Sequence, residues 1–402
     1  MFDERSGMME YLFSNKVKNL KPSAIREILK YSSDPSIISF SAGNPSNESF
    51  PVKAIHNIID EILADNPISA LQYSTTEGFS PLRDIIKEYL KNKYRIGNSF
   101  DELIITSGAQ QVIDLTCKTL CNENDTVICE SPSFIGALNA FRSYNVNLCG
   151  IPLQGDGINV EKLEKFLKNN NNVKFIYTIP NFQNPSGITM SYEKRKFLYN
   201  IAKKYKVLIL EDNPYGDLRY FGNDIPSIKS LDKDGIVIYA GTFSKILSPG
   251  LRVGYTIAPK EIIKKMIVCK QSQDVHTNIL AQMITYQFLK KYNLQVHINY
   301  LIDLYRDKAS LTLSLLNKYM SSKIKYNKTS GGLFIWCTFL QKIDIIDFCQ
   351  KSIAEKVCIV PGNAFLVDEK DTSDSFRINF STPSNKELEL GIKILGNLIN
   401  KL

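Results

Sequence analysis

Four stretches carry side chains whose types and spacing could support chemistry. Gly241-Thr242-Phe243-Ser244-Lys245 sets a lysine just beyond an apolar run, and Arg252 follows after Pro249-Gly250. A lysine in a dry pocket holds its proton less tightly and can form a Schiff base with a carbonyl. An arginine beside it can clamp an anion. Glu211-Asp212-Asn213-Pro214-Tyr215 follows another apolar run, Val207-Leu208-Ile209-Leu210. A carboxylate buried there is costly unless a cation meets it. In Pro180-Asn181-Phe182-Gln183-Asn184-Pro185-Ser186-Gly187, two prolines and a glycine fix a loop that presents Asn184. Ser107-Gly108-Ala109-Gln110 reads as a small turn opening a helix. The free N–H groups and dipole of such a turn suit a phosphate.

Alone, each stretch is an ordinary turn, cap or surface charge. What joins them is the elements they follow. Short β-rich runs fall at 103–106, 126–130, 146–151, 173–178, 207–211, 236–240 and 253–258, with helix-period segments between several of them. That alternation predicts an α/β domain around a mainly parallel sheet of seven strands. Ligands of such sheets sit beyond the carboxyl ends of the strands, where all four stretches lie. A long helical stretch at 279–320 follows, then strand-like pieces and a closing helix at 385–400. These predict a smaller α+β domain. The expected division is 1–44 as an N-terminal arm and part of the small domain, 45–285 as the large domain and 286–402 as the small one. A helix is expected at 24–31.

Composition excludes several classes. With 44% hydrophobic and 22% charged residues, most of the 402-residue chain cannot be disordered. No apolar stretch reaches the roughly 18 residues of a membrane helix. The net charge of +8 comes from dispersed side chains, which argues against a nucleic-acid patch. The eight cysteines form no C-x-x-C pair and only three histidines are present, so no metal site is expected. Reduced cysteines and the lack of an apolar leader predict a cytoplasmic protein.

Taken together, the strand ends offer a phosphate turn, a fixed amide, a carboxylate near a phenol, and a lysine with an arginine. Pyridoxal 5′-phosphate needs this set: donors for its phosphate, an anion for its ring nitrogen, donors for its phenolic oxygen and an amine for its aldehyde. With these motifs, and with Thr242–Gly254 read as one block, the chain closely resembles the class I/II aminotransferases of fold type I. The resemblance runs from Leu71-Gln72-Tyr73 to Arg377 and looks most like the aminoadipate/kynurenine branch, which includes the aminotransferase-like domain of MocR regulators.

The resemblance implies specific roles. Lys245 forms the bond to the cofactor and then shuttles the substrate's α proton. Asp212 pairs with the ring nitrogen. Tyr215 and Asn184 bond the phenolic oxygen, and Phe134 stacks on the ring. Ser107, Gly108, Ala109, Thr242 and Arg252 hold the phosphate, and Tyr73 reaches the phosphate of a neighbouring subunit in a homodimer. Arg377 takes the substrate α-carboxylate, with Gly43, Asn44 and Asn184 beside it. The implied reaction is ping-pong transfer of an amino group from an L-amino acid to a 2-oxo acid, 2-oxoglutarate being the expected acceptor. The alternatives are a β-eliminating lyase on a sulfur amino acid or a MocR-type sensing domain; neither nucleic acid nor a membrane is expected as a partner. Tyr11, Phe13 and Phe40 are expected to cover the pocket. Arg5 or Arg26 could reach a substrate side chain.

Overall fold

The computed structural model describes residues 11–18, 34–320, 322–368 and 370–402. The expected helix at 24–31, Arg5 and Arg26 lie outside them. Strand β1 (Ile38–Ser39) is short. Eight strands then build the main sheet: β2 (Asp101–Thr106), β3 (Thr126–Ser131), β4 (Asn147–Gln154), β5 (Gly157–Ile158), β6 (Val173–Thr178), β7 (Leu208–Asp212), β8 (Val237–Thr242) and β9 (Gly254–Pro259). Their order is β2-β9-β8-β7-β6-β3-β4-β5. The run β8-β7-β6-β3-β4 is parallel, whereas β9 is antiparallel to both neighbours. Strand β2 therefore points the same way as β8. The carboxyl ends of β2, β3, β6, β7 and β8 share one edge of the sheet, and the chain enters β9 from that edge, just after Arg252.

The sheet has eight strands rather than the expected seven. Gly157–Ile158 folds back antiparallel on β4, which runs on to Gln154. A two-residue strand leaves too little alternation to be seen in a sequence. Successive residues on the central strands enter different apolar clusters. Tyr177 and Leu210 lie in one, and Ile176 and Ile209 in the other. Both faces are covered, as a parallel sheet requires.

The second sheet is formed by β10 (Ile324–Tyr326), β11 (Phe334–Phe339), β13 (Val360–Pro361) and β14 (Ser375–Asn379), in the order β10-β11-β14-β13. Strand β12 (Val357–Cys358) pairs with β1, so the N-terminal arm joins the C-terminal part of the chain. Phe40 points into the core rather than over a pocket: a Cβ on Gly391 would stand 2.6 Å from its ring. Tyr11 and Phe13 are exposed. The long helical stretch is two helices, Ile279–Lys291 and Leu294–Met320. The break falls at Asn293, whose Oδ1 accepts from the N–H groups of Gln295 and Val296. Such local bonding competes with a continuing helix.

Candidate active site

Side chains from the shared edge line one cavity of about 470 Å³. Asp212 is the last residue of β7 and is buried. Its Oδ2 accepts from the Tyr177 hydroxyl at 2.8 Å, while Oδ1 has no hydrogen-bond partner. Burial pushes its carboxyl up to about 7, against the pull of Tyr177. An orphaned buried carboxylate oxygen calls for a donor or a cation that the described residues do not supply.

Lys245 stands three residues beyond β8, and its Nζ donates to the Gly43 carbonyl at 2.7 Å. Burial, with the charges of Arg377 and Arg252, brings its ammonium down to about 8. A useful fraction of the amine is then neutral and nucleophilic near neutral pH.

Asn184 joins the two sheets. Its Oδ1 accepts from Arg377 Nη1 at 2.8 Å, and its side chain also bonds the Tyr215 phenol. Arg377 lies on β14 and is buried, with its guanidinium between the rings of Phe334 and Phe365, 4.3 and 4.9 Å away. Its Nη2 donates to Ser41 O at 2.5 Å, and its Nε has no partner. A planar cation held this way is aimed and still has a donor free, which suits a carboxylate.

The Asn184 loop is fixed by Gln183. Its Oε1 accepts from Ser186 N and Oγ, and its Nε2 donates to Pro132 O and Glu130 Oε2. Glu130, at the end of β3, also accepts from Thr178 Oγ1 and Ile179 N. Burial pushes its carboxyl up to about 7 despite these three bonds.

At the opposite wall, Gly254 begins β9. A Cβ there would come within 2.6 Å of the Gly108 backbone. Only glycine lets β9 approach the turn so closely. This brings Arg252 alongside, where its Nη2 donates to Ser107 O at 2.9 Å. Thr242 Oγ1 donates to Ser244 Oγ at 2.9 Å.

The cavity wall holds Lys245, Asp212, Tyr215, Asn184, Phe134, Ala109, Thr242, Arg252, Arg377 and Gly43 together. Ser107 and Gly108 are not on it: the Gly108 N–H goes to Thr106 O and that of Ser107 to Gln111 Oε1, and Ser107 faces an adjoining opening that shares Gln110 and Arg252 with the cavity. Asn44 is not on the wall; its carbonyl accepts from Ser381 and Thr382. Tyr73 is exposed and meets the His276 ring edge-on at 5.9 Å. Tyr177 and Ser244 were missed. Tyr177 sits inside a strand and reads as core, whereas Ser244 lies beside Lys245 in a motif already in view.

Among the described residues, no three His, Cys, Asp or Glu side chains gather as a metal site. Nor is any helix long and apolar enough to cross a membrane. The arrangement suits a ligand that offers a carbonyl to an amine, a ring nitrogen to a carboxylate and an anion to a helix start.

Comparison with known proteins gives the same reading. The profile of the family "Aminotransferase class I and II" matches residues 35–395. An aromatic-amino-acid aminotransferase of Thermococcus litoralis is 39% identical over 98% of this chain and 95% of its own. A 2-aminoadipate transaminase of Thermus thermophilus is 33% identical over 97% of both chains. The crystal structure of a Pyrococcus horikoshii kynurenine aminotransferase, solved in complex with PMP, superposes with a TM-score of 0.93 at 38% identity, covering 97% of each chain.

Proposed function

We propose a defined reaction for this chain, which belongs to the class I and II aminotransferase family and is a pyridoxal-phosphate-dependent aminotransferase. It moves the amino group of L-amino acids with aromatic or long side chains to 2-oxoglutarate, in two half-reactions at one site. The observation that carries the site assignment is the buried Asp212 Oδ1, left without a partner in the cavity that also holds Lys245. A protonated ring nitrogen is the cation that this oxygen lacks.

The residues present fit the cofactor. Lys245 would take its aldehyde, Asp212 its ring nitrogen, Asn184 and Tyr215 its phenolic oxygen, and Phe134 one ring face. Ala109, Thr242 and Arg252 would hold its phosphate. Bound there, the cofactor supplies an electrophilic carbon and a ring that delocalises electrons.

The chain's own groups do the rest. Arg377 binds the substrate carboxylate through its free Nε and remaining N–H donors, and its two flanking rings fix its plane. Asn184 sets that arginine relative to the Tyr215 phenol, so substrate and cofactor are oriented by one side chain. The Lys245 amine, depressed to about 8, takes up a proton at Nζ and returns it at a neighbouring carbon.

The preference for aromatic or long side chains draws support from Ile113, Ile135 and Ile179 on the cavity wall. The exposed Tyr73, beside the exposed Ile68 and Leu71, supports a homodimer in which Tyr73 reaches the partner's phosphate. Cysteines without a disulfide, among them Cys117, Cys129 and Cys337, fit a reducing compartment such as the cytoplasm. An amino-donor screen with 2-oxoglutarate, read by glutamate formation, tests the reading. Aromatic and long-chain donors should give the highest kcat/KM. Absence of glutamate with every donor would rule out this acceptor.

A further inference from the structure

The turn that opens the helix Ala109–Leu120 is held from behind by residues outside the cavity wall. Lys270, on the helix Lys260–Asp274, has a fully buried side chain. Its Nζ reaches Asp274 Oδ1 and Oδ2 at 2.7 and 2.8 Å, and Gln111 Oε1 and Thr277 Oγ1 at 3.1 Å. Asp274 Oδ2 also accepts from Ser107 Oγ at 3.0 Å and from Gln111 Nε2 at 2.8 Å. Thr277 Oγ1 lies 3.1 Å from Ser107 Oγ.

The donor directions follow from proton counting. Ser107 has one hydroxyl proton, and Asp274 takes it. The Ser107 oxygen then accepts from Thr277, and the Thr277 oxygen accepts from Lys270. The ring closes: Lys270 to Thr277, Thr277 to Ser107, Ser107 to Asp274, and Lys270 to Asp274. The Ser107 backbone N–H is committed as well, to Gln111 Oε1 at 2.8 Å.

Thr277 joins this ring only because the chain doubles back after Asp274. Val275 has φ 61°, and the His276 N–H donates to Asp274 O at 2.6 Å. Left-handed backbone at a β-branched residue is strained, and surrounding structure must hold it there.

We propose that Ser107, Lys270, Asp274 and Thr277 are positioning residues for the cofactor phosphate and not its ligands. Ala109 and Gln110 line the cavity and head the helix, where N–H groups lack intrahelical acceptors. Ser107 lies off the wall with its donors already committed. The ring fixes the turn so that those helix-start donors stand ready. Lys270 also cancels the charge of Asp274, which would otherwise repel a phosphate dianion. This inference rests on the pyridoxal phosphate assignment.

The test is a thermodynamic cycle on cofactor-free protein. Affinity for pyridoxal 5′-phosphate and for pyridoxal, which lacks the phosphate, is measured for wild type, Lys270→Met, Asp274→Asn, Ser107→Ala and the doubles with Ser107→Ala. Lys270→Met should weaken the phosphorylated ligand about tenfold or more, with pyridoxal changed by less than about twofold. The loss caused by Ser107→Ala should shrink to less than about half in either variant background, because the ring is already open. The proposal is overturned if Ser107→Ala costs the same factor in every background, as a direct ligand would. It is equally overturned if both ligands weaken together, as a purely structural role would require. If Lys270→Met does not fold, the near-isosteric Asp274→Asn cycle decides between these outcomes. Failure of wild type itself to bind pyridoxal 5′-phosphate would instead overturn the cofactor assignment.

Discussion

Replacing Asp212 with Asn should stabilise the cofactor-free protein at alkaline pH and weaken the loaded one. The Asp212 carboxyl is raised from 3.8 to about 7, chiefly by burial. Its folded pKa lies above its unfolded value, so the folded state holds the proton longer. Ionisation therefore favours unfolding, and the penalty grows as pH rises from about 4 to 7. Three units at 1.36 kcal/mol each place the full penalty on the order of 4 kcal/mol. Between about pH 4.5 and pH 8, roughly 3 kcal/mol of it develops.

The side-chain amide introduced by Asp212→Asn does not titrate but keeps an acceptor for the Tyr177 hydroxyl. At about 2.1 cal/mol/K per residue, the unfolding entropy of a chain this long turns 3 kcal/mol into a shift of about 4 °C. Cofactor-free wild type and variant are melted at both pH values. The variant's melting temperature should gain about 4 °C on wild type between the two. Glu130 titrates in the same range and its carboxyl is raised in part by the Asp212 charge, so the loss of that charge in the variant adds to the gain. Cofactor should reverse the order, since a ring cation then meets the carboxylate. Parallel pH curves for the two cofactor-free proteins would refute the picture of Asp212 as an uncompensated buried acid.

Two further outcomes follow from the same geometry. Arg377→Lys loses the planar fork held between Phe334 and Phe365, so KM for amino donor and 2-oxo acid should both rise about tenfold to a hundredfold, measured by steady-state kinetics. Lys229→Met removes the fully buried cation between Asp101 and Asp232, remote from the cavity. Denaturant melts should show a loss of about 3–5 kcal/mol, with turnover per folded molecule unchanged.

The chemistry was legible where it is written in contiguous residues at strand ends. Lys245 and Asn184 each follow, and Asp212 ends, a strand whose apolar run is plain, and the parallel order brings those ends together. Arg377 needed the family resemblance, because a single arginine in a strand has no local signature. Tyr177, Glu130, Lys270 and Asp274 escaped notice. Lys270 and Asp274 pair at i,i+4 like an ordinary helix-surface ion pair, and the partners that give all four residues their place lie 35 to 167 residues away in the chain. The break at Asn293 and the edge strand at Gly157–Ile158 also escaped. Both depend on one or two residues whose local hydrogen bonds override a longer pattern. Phe40 was misplaced because its environment is set by Gly391, far along the chain.

The central claim is that the amine at the end of β8 is the one that takes the cofactor. Borohydride reduction of the loaded enzyme, followed by peptide mapping, tests it directly. The phosphopyridoxyl group should be found on Lys245 alone and be lost when amino donor is added before reduction. Label on another lysine, or label on Lys245 that an amino donor does not displace, would contradict the account.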